Sequence, residues 1–258
     1  MLNLAVNLSL IFTEVPLIER FALAKQQGFQ AVEIQFPYEL PATAIQQQLD
    51  EHDLDLVLIN VPTGDLMQGG NGLAGIPGLE IEFAKAVKQA MEYALALQVP
   101  TVNILAGKQP ENADLLPCLK TLADNLRFAS DAFQNAGITP VIEMINNIDM
   151  PRFLIQNLAQ GQEMLEAVHH PALKLQYDCY HMAMMGEDVL EGLKENLDQI
   201  AHIQFADFPY RHEPSTGIIN YSALFQWIQQ STYLGYCGAE YKPSGLSADS
   251  FNWLKSCI

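Results

Sequence analysis

The 258-residue chain is 49% hydrophobic, and its 30 acidic against 13 basic side chains leave a formal charge of -17. Such a length suits a single α/β barrel of roughly 250 residues, and the apolar share supplies a sizeable core. The charge would repel phosphate backbones and anionic lipid heads, so nucleic acid and membrane surfaces are excluded as partners, and a small anionic substrate would need local cations.

The N-terminus is apolar from Leu8 to Phe12 but has no basic run and no A-x-A cleavage pattern, so it reads as a first strand and not as a signal peptide. No apolar run approaches membrane-spanning length. Cys118, Cys179, Cys237 and Cys257 show no C-x-x-C spacing, and Cys179 and Cys237 fall inside predicted strands. They read as reduced, small core residues, which places the chain in the cytoplasm.

Leu2 to Leu10 is a mostly apolar run that reads as strand one. From Pro16 the apolar spacing turns helical, with Leu17, Phe21 and Ala24 on one face and Gly28 as the stop. Ala31 to Phe36 is strand two, closed by Pro37; a helix from about Thr43, its expected cap, to His52 precedes strand three at Leu54 to Val61. Pro62 to Gly78 then breaks the rhythm with 17 residues, six glycines and no apolar period. Following a strand end, it fits a lid over a ligand face or a plain floppy excursion. A long helix runs from Gly78 to about Gln98, its buried stripe marked by Phe83, Val87, Ala90, Ala94 and Leu97.

Thr101 to Ala106 is strand four, and Leu115, Leu119, Leu122, Leu126, Ala129 and Phe133 mark the helix after it, stopped by Gly137. Pro140 to Asn146 is strand five, Asn157 to Val168 a helix, and Leu173 to Cys179 strand six, followed by a Met-rich loop. A helix over Asp188 to Leu197 leads to strand seven at Ile200 to Ala206 and a polar loop, Asp207 to Asn220. A helix from Tyr221 to Gln230, strand eight at Gly235 to Tyr241 and a closing helix at Ser247 to Ser256 complete the chain. Eight strands, each followed by a helix, with no linker and no break in composition, predict one domain over residues 1–258. Near-continuous apolar strands are those of a parallel sheet buried on both faces, so a (β/α)₈ TIM barrel is the economical reading and a doubly wound open sheet the runner-up.

Each of the last four predicted strands carries one oxygen-bearing side chain among apolar neighbours: Glu143, Asp178, Gln204 and Glu240. Taken singly each has an ordinary structural reading, Asp178 as the cap of the next turn and Gln204 as a buried amide bonded to backbone. Taken together they converge on the strand ends where parallel barrels bind ligands. Burying an unpaired carboxylate costs several kcal/mol, so three at one barrel mouth call for a cation. Three carboxylates and an amide oxygen form a hard set that favours Mg²⁺ or Mn²⁺ over Zn²⁺.

Several runs resemble the hydroxypyruvate isomerase family: Asn7-Leu8-Ser9 with Phe12, Ala31-Val32-Glu33 with Phe36-Pro37-Tyr38, and Gly64-Asp65 through Gly72 to Ile76-Pro77-Gly78. So do Tyr177-Asp178 with Tyr180-His181, Arg211-His212-Glu213-Pro214 through Gly217 to Ile219-Asn220-Tyr221, and Gly238 with Glu240-Tyr241-Lys242-Pro243. That family lies among the xylose-isomerase-like barrels, beside ketose 3-epimerases, with 2-oxotetronate isomerases as a sister group. The resemblance implies that Glu143, Asp178, Gln204 and Glu240 are metal ligands and that Glu143 and Glu240 double as the acid/base pair. It implies interconversion of hydroxypyruvate and 2-hydroxy-3-oxopropanoate through an enediolate. One departure is Met144, where family members often carry Pro.

His181, three residues after Asp178, could bond a substrate oxygen or be satisfied by loop backbone. Arg211 is the first choice for the substrate carboxylate, since guanidinium matches it bidentately; Lys108 and Lys242 are second choices, each with a solvated surface role as the alternative. Glu213 could orient Arg211 or His212. The expected partner is a small anionic 2-oxo acid, hydroxypyruvate first and a four-carbon 2-oxotetronate second. Weaker readings are a ketose epimerase, a barrel that binds without turnover, and a metallonuclease, which the negative charge and the six histidines oppose.

Overall fold

The computed structural model describes residues 2–256. Eight parallel strands form a closed barrel in chain order: β1 Asn3–Asn7, β2 Ala31–Ile34, β3 Asp55–Asn60, β4 Thr101–Ile104, β5 Thr139–Glu143, β6 Lys174–Asp178, β7 Ile200–Phe205 and β8 Tyr236–Ala239. The barrel closes where Asn3 pairs with Tyr236 and Val6 with Ala239. Around it lie α1 Leu17–Gln26, α2 Ala42–His52, α3 Glu80–Ala96, α4 Leu115–Asn135, α5 Leu158–Val168, α6 Cys179–Met184, α7 Val189–Asn196 and α8 Tyr221–Gln230.

The apolar stripes face the strands as their spacing dictates: Phe83, Val87, Ala90 and Ala94 of α3, and Leu122, Leu126, Ala129 and Phe133 of α4, are all buried. Each large apolar side chain so buried is worth about 1.5–3 kcal/mol. Strand residues are covered on both faces, by the helices outside and by one another inside, which is why their sequences are continuous runs and not alternations.

Four expectations are corrected. Thr43 does not cap α2, which begins at Ala42 after Pro41; a proline fits the start of a helix because the missing N–H is an orphan there. Leu115, the first residue of α4, is exposed, and Cys118 takes the inward place. Cys179 is not strand but the first residue of α6, a short helix in the Met-rich segment, so two helices separate β6 from β7. The closing helix is two 3₁₀ turns, Ser247–Asp249 and Asn252–Ser256. There the indole N–H of Trp253 donates to the Tyr241 hydroxyl, and Trp253 packs edge-on to Phe205, so aromatic anchoring replaces a regular helix. Cys118, Cys179 and Cys237 are buried; Cys257 lies outside the described residues.

Candidate active site

The barrel floor is a cross-strand polar network. Glu33 of β2 is fully buried, and its Oε1 lies 2.6 Å from His202 Nε2 on β7. Its Oε2 accepts from Asn7 at 3.2 Å and from Gln204 at 2.8 Å, so both oxygens are partnered. Glu33 crosses the barrel through the space that a side chain at 238 would fill: a Cβ on Gly238 would stand 1.8 Å from Glu33 Oε1. Since His202 and two amides hold that carboxylate, it has nowhere to retreat.

Above the floor stand the carboxylates. Glu143 and Asp178 end β5 and β6, and Glu240 follows β8, its N–H still donating to Phe205 O at 3.0 Å. Glu240 Oε1 accepts from Asn7 at 3.1 Å, Gln35 at 2.9 Å and Gln204 at 3.3 Å. Glu143 Oε2 accepts from Asn103 at 2.8 Å, which leaves Oε1 turned inward, 3.9 Å from His181 Nε2. Asp178 plays both parts the sequence allowed. Its Oδ1 caps α6 by accepting from Tyr180 N at 2.8 Å and His181 N at 3.4 Å, while Oδ2 is buried without a hydrogen-bond partner.

Arg211 is brought to this cluster by the loop after β7. Buried Asp207 organises the loop by accepting from the backbone N–H groups of Phe208, Ser215, Gly217 and Ile219. Arg211 itself sits at φ 57°, held between Asp207 O and the Lys242 N–H. Its Nη2 donates to Glu240 Oε2 and lies 3.5 Å from Asp178 Oδ2; its guanidinium lies over the Tyr180 ring, 5.2 Å from the centroid, and its Nε is buried without a partner.

The electrostatics follow from burial and crowding. Glu240 is pushed up to about 7 because burial penalises its charge, with Arg211 pulling the other way and Asp178 and Glu33 adding to the rise. Burial, then Glu240 and Asp178, push Glu143 well above the carboxylate range. Asp178 is also raised by burial, against the pull of Arg211. Burial works against the Arg211 charge, but Glu240, Asp178 and Glu143 outweigh it and keep the guanidinium protonated. Burial and Arg211 drive His181 well below the usual imidazole value.

A cavity of about 180 Å³ opens above, lined by Glu143, Glu240, His181 and Arg211 together with Gln35, Asn60, Asp149 and Met67. Sequence reasoning missed Gln35, Asn60, Asn146 and Asp149, although each is a polar residue at or just past a strand's C-terminal end. Met67 comes from the loop read as a lid, which is seated: Asp65 accepts from Gly72 N at 3.0 Å and Asn125 donates to Ala74 O at 2.7 Å. Lys108 and Lys242 do not line the cavity. Lys108 Nζ donates to Gly69 O of that loop at 3.0 Å, and the Lys242 side chain is exposed. Glu213 orients neither Arg211 nor His212; it accepts from Ser244 N at 2.9 Å and fastens the loop to the segment after β8.

Three buried carboxylates share one guanidinium, and one buried carboxylate oxygen is unpartnered, so the donor set fits a small hard cation. One ligand atom each from Glu143, Asp178 and His181 lie within 4.8 Å of one another. Gln204 turns its oxygen to Gln176 Nε2 at 2.6 Å and its amide nitrogen to Glu33 and Glu240, so it would reach a cation only if Gln176, whose Oε1 is unpartnered, turned with it and the bond to Glu33 were given up.

Residues 21–257 match the xylose isomerase-like TIM barrels, and the chain belongs to that family. It is 39% identical over 251 residues to the 2-oxo-tetronate isomerase of Cupriavidus necator, covering 97% of this chain and 96% of that protein. It is 38% identical over 254 residues to the hydroxypyruvate isomerase of Escherichia coli, covering 98% of each. The crystal structure of AP endonuclease, family 2 from Brucella melitensis superposes with a TM-score of 0.95 at 37% identity, covering 99% of this chain and 98% of that one. The chain is an isomerase.

Proposed function

We propose that this isomerase acts on a small 2-oxo acid, moving the carbonyl between C2 and C3 by proton transfer through an enediolate, with hydroxypyruvate and 2-hydroxy-3-oxopropanoate as the pair. The observation that carries the reading is the pairing of Glu143 and Glu240, both buried, both raised above the ordinary carboxylate value, Glu240 to about 7, and lining one small cavity with Arg211. A group poised near the working pH is suited to taking and returning a proton. One carboxylate of the pair takes the C3 proton, the C–H electrons form the C2–C3 double bond, and the C2 carbonyl π pair moves onto its oxygen; the C3 hydroxyl proton then passes to that oxygen, the C3 carbonyl forms, and the C2–C3 pair takes a proton at C2. Asn103, by occupying Glu143 Oε2, leaves Oε1 free to hold that proton. Arg211, through its unpartnered Nε, receives the substrate carboxylate.

Glu143, Asp178, Glu240 and a turned Gln204 would hold Mg²⁺ or Mn²⁺, which when bound stabilises negative charge on substrate oxygens. A four-carbon 2-oxotetronate is the second reading, supported by the named relative. The nuclease name of the Brucella melitensis protein is opposed, for this chain, by a charge of -17, which would repel a phosphate backbone. Proton NMR of the protein with hydroxypyruvate in D₂O and Mg²⁺ tests the proposal. Deuterium uptake and product that vanish with EDTA and in Glu143→Gln support it; absence of both with cation present removes hydroxypyruvate and moves the test to 2-oxotetronates.

A further inference from the structure

We propose that Asn146 is a positioning residue that fixes His181 as its Nε2–H tautomer, so that the ring donates a hydrogen bond to a substrate oxygen and does not ligate a cation. The argument is one of donor and acceptor accounting. Asn146 lies three residues beyond Glu143, fully buried. Its Oδ1 accepts from two backbone N–H groups, Ile148 at 3.0 Å and Asp149 at 2.8 Å, which forbids turning the amide over, since an NH₂ group would then face two donors. The Nδ2 group is therefore the donor on the other side. One of its hydrogens goes to Asp149 Oδ2 at 3.1 Å, itself held by the Tyr180 hydroxyl at 2.9 Å. The second goes to His181 Nδ1 at 2.6 Å.

An Nδ1 that accepts carries no proton, so the ring is neutral and its single proton lies on Nε2. That N–H points into the cluster, 3.6 Å from Asp178 Oδ2 and 3.9 Å from Glu143 Oε1, where a carbonyl or enediolate oxygen would lie in the proposed reaction. The closeness of Glu143, Asp178 and His181 thus suggests a ligand triad, but the histidine has no lone pair to give, and the carboxylates are left to hold the ion. Only the catalytic purpose rests on the proposed isomerase reading; the tautomer stands without it.

Long-range ¹H–¹⁵N NMR of the wild-type chain reads the tautomer directly. The expected result is a pyrrole-like Nε2 and a pyridine-like Nδ1 on His181, unchanged when Mg²⁺ is added. A proton on Nδ1, a mixture of the two forms, or loss of the Nε2 proton on adding Mg²⁺ overturns the proposal. Asn146→Asp keeps the acceptor for the two loop N–H groups but can only accept from the ring, and is expected to move the proton to Nδ1. Its kcat should fall about 10²–10³-fold, the cost of one missing oxyanion donor, with KM moving less than about threefold. Asn146→Ala, offering neither donor nor acceptor, should give mixed tautomers. Unchanged ring shifts in Asn146→Asp, or a moved proton with full kcat, overturn the positioning role. Wild-type protein that shows Nε2–H but turns over no 2-oxo acid supports the tautomer and overturns the isomerase substrate reading instead.

Discussion

The barrel holds one buried carboxylate on its floor and three at its mouth, and the two settings differ. On the floor, Glu33 has both oxygens partnered, by His202, Asn7 and Gln204. At the mouth, Glu143, Asp178 and Glu240 crowd one guanidinium, and Asp178 Oδ2 has no hydrogen-bond partner. Burial alone therefore does not mark a working site in this fold. The mark is charge left deliberately under-compensated, which stores the capacity to take up a cation, a proton or a substrate.

The comparison is most sharply broken by exchanging one residue of each group. Glu143→Gln should lower kcat by about 10²–10⁴-fold, the range for a lost general acid or base, without lowering the melting temperature of cation-free protein, because a carboxyl whose ionisation burial and Glu240 oppose is replaced by a neutral amide. Glu33→Ala should do the reverse in emphasis, destabilising by about 3–5 kcal/mol in a urea titration, because it strands His202 and two buried amides. If Glu143→Gln proves as destabilising as Glu33→Ala, the distinction between floor and mouth is lost.

A second test uses pH. Glu240 titrates at about 7 in the fold against an ordinary 4.5, so between those values the folded chain keeps a proton that the unfolded chain has released. Its contribution is fully present below about 4.5 and is lost as pH rises through 7, roughly 3 kcal/mol in all. Cation-free protein should thus weaken over that window, and excess Mg²⁺ should abolish the decline; a flat profile in EDTA would count against crowding at the mouth. Smaller again is Arg211→Lys, expected to raise KM for a 2-oxo acid about tenfold by losing a forked contact, with steady-state kinetics as the check. Smallest is Lys108→Ala, which should leave kcat within about twofold and shift stability by no more than about 0.5 kcal/mol, since the side chain's hydrogen bond is an exposed one to the loop carbonyl of Gly69.

The positions of Glu143, Asp178, Gln204 and Glu240 at or near their strands' C-terminal ends were legible because each interrupts an apolar run. Their partners were not. Glu33 and His202 are 169 positions apart and meet only because the barrel closes. Asn146 and Asp149 sit in a loop whose composition suggests nothing beyond a turn, and their meaning lies in which atom of an amide faces which neighbour. The capping of α6 by Asp178 hid in an apparent choice between cap and ligand, which the two oxygens of one carboxylate divide between them. Periodicity likewise overextended the closing helix, since it cannot register that Trp253 finds its partner in Tyr241.

Gly238 touches neither the cavity nor any expected substrate, yet a methyl group there would collide with a carboxylate that cannot yield. A saturation library at this codon should return glycine alone, as intolerant as the reactive positions themselves. Anyone reshaping the pocket for another acid inherits that prohibition: the first wall of the design space is a missing side chain on β8, set by a residue on β2, just across β1.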